Sequence, residues 1–215
     1  MSIRALLIDL DGTLIDSDEA HLCAFNRVLD SYGVGLTRDS FHSVVSGNNT
    51  PAILRALVPA LGPEEVTALG ARKENLIPSL LDRIAAAPGA LALLRGATEA
   101  GCRIAVVTNA TRDNAVAILD HLGMSRFISA VIAAEDSPAP KPSPAPYRTA
   151  LERFELPPEH AVAIEDSVSG ITSARGAGLV VLGICGNKAA EPLIASGARA
   201  CFPTLAEVGA ELGLL

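Results

Sequence analysis

"LLIDLDGTLIDS", residues 6–17, runs apolar for three residues and then sets two carboxylates, Asp9 and Asp11, two positions apart. A continuously apolar run reads as a strand buried on both faces, which is the parallel-sheet pattern. Ending such a strand in two like charges is costly unless something of opposite charge completes the arrangement. The rest of the chain shows what that partner is.

After residue 88, short aliphatic runs alternate with Ala/Leu-rich segments. "CRIAVVTNA", "FISAVIAAED", "HAVAIEDS" and "GLVVLGIC" read as further buried strands. The segments "TRDNAVAILDHLG", "SPAPYRTALERFEL" and "SGITSARGAG" read as helices between them, each ending near Gly or a Pro pair. A strand-like "ARACF" and a helical "TLAEVGAELG" follow. Repeated strand–helix units predict an α/β fold, a Rossmann-like parallel sheet with helices on both faces. Residues 16–87 differ: "EAHLCAFNRVLDSYG", "TPAILRALVPALG" and "PEEVTALGARKENLIPSLLDRIAAA" are helical patterns, and no strand pattern stands among them. The expected organisation is a core domain of residues 1–15 and 88–215 interrupted by an inserted α-helical domain, residues 16–87. The Pro-rich "SPAPKPSPAP" (137–146) is short enough to be an ordered loop between a strand and a helix.

Composition narrows the classes. The chain has 215 residues, 49% of them hydrophobic and 3% aromatic, so an aliphatic core is large enough to fold unaided. The formal charge is −7 and no Lys/Arg block occurs, which excludes a nucleic-acid surface. The apolar runs fall short of the roughly 20 residues that span a bilayer, and "MSIRALLIDLDG" meets Asp9 too soon to be a signal peptide. Cys23, Cys102, Cys185 and Cys201 form no ligand pattern and read as small buried hydrophobes in a reducing compartment. A soluble, cytoplasmic protein is expected, either a monomer or a weak homodimer.

Four polar groups follow apolar strands: Asp9/Asp11, Thr108/Asn109, Lys141 in its loop, and Glu165/Asp166. In a parallel sheet the carboxyl ends of the strands share one edge, where ligands bind, so these groups converge. Clustered carboxylates need a cation, and an oxygen-only donor set favours Mg²⁺, which commonly accompanies phosphate. A lysine and a Thr/Asn pair offer phosphate oxygens positive charge and donors. Each motif alone has a plainer reading. Asp11-Gly12 makes a turn, Thr108 or Asn109 caps a helix, Lys141 is a solvated charge, and Glu165-Asp166-Ser167 caps another helix. Found in order at four strand ends, they point to one site.

"DLDGT", "VVTNA", "KPSPAPY" and "IEDSVSG" resemble, in order and spacing, the four motifs of the haloacid dehalogenase superfamily of phosphohydrolases. The helical insertion resembles the cap of the subgroup with β-phosphoglucomutase and phosphoglycolate phosphatase. The resemblance implies that Asp9 is a nucleophile forming an aspartyl-phosphate and Asp11 a general acid and base. It implies that Thr108 and Asn109 hold the phosphoryl group and that Lys141 neutralises nucleophile and phosphate. Asp9, Asp11 and Asp166 would bind Mg²⁺, with Glu165 as a second metal or outer-shell carboxylate. In the cap, His21, Asn48, Asn49 and Lys73 are the expected substrate-binding positions.

The implied activity is a Mg²⁺-dependent phosphatase of a small phosphorylated metabolite, of sugar-phosphate or phosphoglycolate type. The alternative is a β-phosphoglucomutase-like isomerase. Haloacid hydrolysis lacks a use for Asp11 and Asp166, phosphonate hydrolysis needs an amine such as Lys73, and receiver-like signalling modules order their groups differently. A mutase needs a cationic cap residue for its second phosphate. The corresponding stretch, "SGNNTPAIL", places Thr50 there.

Overall fold

A computed structural model describes residues 3–45 and 49–215. The chain divides into two compact units, residues 1–16 with 85–215, and residues 17–84.

Among the described residues the first unit is built on eight strands: β1 (Ala5–Ile8), β2 (Ile15–Asp16), β3 (Ala85–Ala86), β4 (Arg103–Val107), β5 (Ala130–Ile132), β6 (Ala161–Glu165), β7 (Val180–Ile184) and β8 (Ala200–Phe202). Six of them form one parallel sheet in the order β5-β4-β1-β6-β7-β8. All four residues of β1 are buried, and so are Ile104–Val107 and the whole of β6, which is why these strands carry no polar alternation. Ile8 pairs with Val106 on one side and Ile164 on the other. The next residue of each strand therefore reaches the same sheet edge at the same level.

β2 and β3 form a separate antiparallel ribbon, with Ile15 opposite Ala86 and Asp16 opposite Ala85. The sequence pattern showed no strand here, because two residues carry no periodicity.

The second unit, Ser17–Ile84, holds α1 (Asp18–Leu29), α2 (Arg38–Val45), α3 (Thr50–Leu57), α4 (Pro63–Glu74) and a 3₁₀ segment, Ile77–Arg83. Its core gathers Phe25, Val28, Leu29, Phe41, Ile53, Leu54, Val66 and Leu69. The Phe25 and Phe41 rings lie 6.3 Å apart, tilted to each other. α2, "RDSFHSVV", lies outside the helical patterns that the sequence showed.

Returning to the first unit, α5 (Ala90–Glu99), α6 (Arg112–His121), α7 (Ala145–Arg153), α8 (Val168–Gly176), α9 (Glu191–Ala195) and α10 (Leu205–Glu211) complete the chain. One apolar cluster joins Ala5, Leu7, Ala105, Val107, Ala161 and Ala163 to Tyr147 and Ala150 of α7 and to Ile171 and Ala174 of α8. The intervening side chains, Leu6, Ile8, Ile104, Val106, Val162 and Ile164, are buried too. No described helix is long and apolar enough to cross a membrane. The four cysteines are free and half-buried, rather than fully enclosed as their composition suggested.

Candidate active site

Strand parity aims the site. Asp9 follows Ala5 and Leu7 on one face of β1, and Glu165 follows Ala161 and Ala163 on the same face of β6. Both carboxylates therefore point to the side that α7 and α8 cover. The Asp9 amide donates to the Ile164 carbonyl at 3.0 Å, which fixes the nucleophile candidate to the neighbouring strand. One carboxylate oxygen from each of Asp9, Glu165 and Asp166 lies within 4.8 Å of the others.

Lys141 stands among them. Its Nζ donates to Asp9 Oδ1 at 2.5 Å, to Glu165 Oε1 at 2.5 Å and to the Val107 carbonyl at 2.7 Å. An ammonium has three N–H groups, and all three are spent on these partners. Its chain position is set from outside as well, since the Lys141 amide donates to the Asn109 side-chain oxygen at 3.0 Å. The Asn109 side-chain oxygen thereby pins the Lys141 loop to the end of β4.

Asp11 is half-buried and pairs by a bridge with Ile15 across a tight turn. Gly12 makes that turn at φ +80°, and a Cβ there would meet the Asp166 carboxylate at 2.3 Å. Thr13 donates to Asp166 Oδ1 at 3.4 Å. Thr108 is buried, and its hydroxyl oxygen accepts from the Ala110 amide at 3.0 Å. The loop closes on α6, whose N-cap Thr111 accepts from the Asn114 amide.

Glu165 is fully enclosed. Its Oε1 also accepts from the Tyr147 hydroxyl at 2.6 Å, and its Oε2 from the Ser167 hydroxyl at 3.3 Å. Ser167 caps α8 by accepting from the Gly170 amide at 2.9 Å. A Cβ on Gly170 would come within 1.9 Å of the Glu165 carboxylate, so a glycine is required beneath it.

The electrostatics follow from this crowding. Burial raises the Asp9 carboxyl well above the usual carboxylate range, Glu165 and Asp166 add to the rise, and Lys141 opposes it. Burial and Glu165 push Asp166 up to about 7, with Lys188 and Lys141 opposing. Burial works against the Lys141 charge, but Asp9 and Glu165 outweigh it and its pKa is raised. Two carboxylic acids held back from ionising, with oxygen-only donors within 4.8 Å, are what a hard divalent cation relieves. The donor set fits Mg²⁺.

The remaining expected residues lie in the helical unit. His21 is half-buried on α1. Asn49 caps α3, its side-chain oxygen accepting from the Ala52 amide at 3.0 Å. Lys73 is buried, bonds Glu74 at 2.9 Å and lies 5.3 Å over the Phe25 ring. Asn48 falls outside the described residues. Sequence reasoning missed Tyr147 and Gly170. The signals were a lone tyrosine closing "KPSPAPY" and a glycine five residues beyond Glu165.

A family model described as haloacid dehalogenase-like hydrolase matches residues 6–184. The protein CbbY of Cereibacter sphaeroides is 36% identical over 190 residues, which are 82% of each chain. The validoxylamine A 7'-phosphate phosphatase of Streptomyces hygroscopicus subsp. limoneus is 31% identical over 192 residues, 88% of this chain and 89% of that protein. A crystal structure of CbbY from Rhodobacter sphaeroides in complex with xylulose-(1,5)bisphosphate matches with a TM-score of 0.84 at 28% identity, covering 96% of both chains.

Proposed function

Because the chain belongs to the haloacid dehalogenase-like hydrolases, we propose that it is a phosphoric monoester hydrolase acting on a small phosphorylated metabolite. The observation that carries this reading is the Asp9–Lys141 pair beside Asp166 at the carboxyl edge of the central strands. Phosphoryl transfer asks a protein for positioning and charge neutralisation, and this edge supplies both.

In this reading the Asp9 carboxylate attacks phosphorus while the bond to the leaving alcohol breaks, and Asp11 gives its proton to the departing oxygen. Water then attacks the aspartyl-phosphate, Asp11 takes its proton, and phosphate leaves with Asp9 restored. Lys141 acts as a fixed charge, since each of its N–H groups is already held. The Thr108 hydroxyl and the Asn109 amide cradle the phosphoryl oxygens. Asp9, Asp166 and the Asp11 carbonyl would hold Mg²⁺, which when bound offsets the charge of the phosphate dianion. Glu165 serves outside that set, as the buried counter-ion of Lys141.

The substrate class is a sugar phosphate or a related phosphorylated polyol. Support comes from two relatives, one named for validoxylamine A 7'-phosphate and one seen with xylulose-(1,5)bisphosphate. Hydrolysis rather than isomerisation is favoured because Asn49 and Thr50 open α3 without a charge for a second phosphate. The test is phosphate release from a panel of sugar phosphates, sugar bisphosphates and phosphoglycolate, with Mg²⁺ and with excess EDTA. Metal-dependent release from a sugar ester is expected. Release from none of them, or undiminished release in EDTA, contradicts the reading. Isomerisation of β-glucose 1-phosphate that outpaces phosphate release would replace it with the mutase.

A further inference from the structure

Tyr147 is a buried polar side chain for which the chemistry above has no use. It is one of two tyrosines in the chain and is completely enclosed in the apolar cluster between the sheet and the α7–α8 layer. Packing alone would be served by phenylalanine, which brings no hydroxyl that must find a partner. Here the hydroxyl donates to Glu165 Oε1 at 2.6 Å, the same oxygen that accepts from Lys141 at 2.5 Å. The Lys141 Nζ also lies 5.2 Å from the centroid of the Tyr147 ring. One side chain thus meets both members of a buried ion pair, the anion through its hydroxyl and the cation through its ring.

We propose that Tyr147 is a positioning residue for phosphoryl transfer, holding Glu165 so that the Lys141 ammonium stays seated against Asp9. Lysine carries its charge on a flexible four-carbon stem, so its place is set by whatever anchors the ammonium. The anchors are Asp9, the Val107 carbonyl and Glu165. Asp9 is the group whose charge changes when it takes up phosphate, and a main-chain carbonyl is neutral. Glu165 is therefore the side-chain anchor that takes no part in the transfer, and its own orientation decides where Lys141 stands. Gly170 walls one side of that carboxylate and Ser167 reaches Oε2 only at 3.3 Å. The Tyr147 hydroxyl supplies the short bond that stops it rotating.

The kinetic part of the proposal rests on the phosphatase reading, while its structural part does not. Tyr147→Phe keeps the ring and removes only the hydroxyl. Because that hydroxyl bonds Glu165 and not a group placed against phosphate, kcat is expected to fall about tenfold, the scale of one bond to a charged group. KM is expected to stay within about twofold of wild type. Since Tyr147 acts through Glu165, adding Tyr147→Phe to Glu165→Gln should cost nothing further, the signature of coupled residues. Unchanged kcat, or losses that multiply in the double variant, overturns the proposal.

A second measurement needs no turnover. In protein labelled with ¹⁵N-lysine, the Lys141 ammonium, held by three acceptors, should give a slowly exchanging resonance, assigned by its loss in Lys141→Met. Tyr147→Phe should quicken that exchange several-fold, and equal exchange in the two proteins overturns the proposal. A wild-type protein inert toward every phosphate ester defeats the hydrolase reading instead, and the resonance alone then decides this one.

Discussion

Gly12 and Asp166 claim the same space: a Cβ on Gly12 would stand 2.3 Å from Oδ2 of Asp166 and 2.9 Å from its Cγ. The turn that follows the two aspartates of β1's extension is thus shaped around a carboxylate more than 150 residues away in sequence, the one Thr13 also reaches. Gly12→Ala strains a φ of +80° and displaces Asp166 together. It should cost about 1 kcal/mol from the backbone alone. Activity should fall on the order of 100-fold, because reacting groups tolerate little misplacement. Thermal melts and a Mg²⁺ titration of activity check both parts, and a variant with wild-type metal dependence refutes the account.

Asp9→Asn should abolish turnover and leave the fold intact. The amide cannot attack phosphorus, and it removes a buried carboxyl that the site already holds back from ionising. Its melting temperature without metal should equal or exceed that of wild type. Phosphate release in a preparation free of other phosphatases, together with a melt, tests this; substantial residual turnover speaks against a covalent role for Asp9.

Lys141→Met should be the opposite case. It leaves Asp9 and Glu165 buried with no cation between them, the situation that costs about 3–5 kcal/mol when one partner of a buried pair is removed. Denaturant unfolding should show that loss, and acid should lessen it by protonating the stranded carboxylates. A variant as stable as wild type at pH 8 would show that the ion pairs contribute nothing.

The metal-free protein should lose stability as pH rises through neutrality. Asp9 and Asp166 have carboxyls raised above their ordinary values, Asp166 to about 7, so the folded chain binds these protons more tightly than the unfolded chain. A raised folded-state pKa contributes stability below the ordinary carboxylate range, and for Asp166 that contribution is gone above about 7. Melts in EDTA should therefore fall from pH 6 to pH 8, and Mg²⁺ should flatten the slope by favouring the ionised form. A slope that is the same with and without Mg²⁺ contradicts this.

Much of the architecture could be read from residue order. Strands buried on both faces show as unbroken aliphatic runs, and the sheet-edge rule gathers Asp9, Thr108, Lys141 and Glu165 before any coordinate is known. What escaped depends on direction and depth rather than on residue type. Whether Glu165 faces a metal or the interior turns on strand parity with Ala161 and Ala163. The Tyr147 contact depends on how deep α7 sits against the sheet, which no local pattern encodes. The use of the Asn109 side-chain oxygen as a clasp for the Lys141 amide needs the loop conformation. The Ile15–Asp16/Ala85–Ala86 ribbon and the five-residue α9 are too short to leave a periodic trace.

That ribbon has a wider consequence. Ile15 and Asp16 lie directly opposite Ala86 and Ala85, so the chain departs from the first unit and comes back one strand-width away. To the sheet, everything between residues 16 and 85 is topologically a single hairpin turn. The entropy of closing such a turn grows only with the logarithm of its length, about 0.6 kcal/mol for each doubling. Lineages can therefore lengthen, shorten or exchange the insert with little penalty to the fold that carries the carboxylates. The sheet edge that holds the carboxylates can stay constant while the insert is free to diversify.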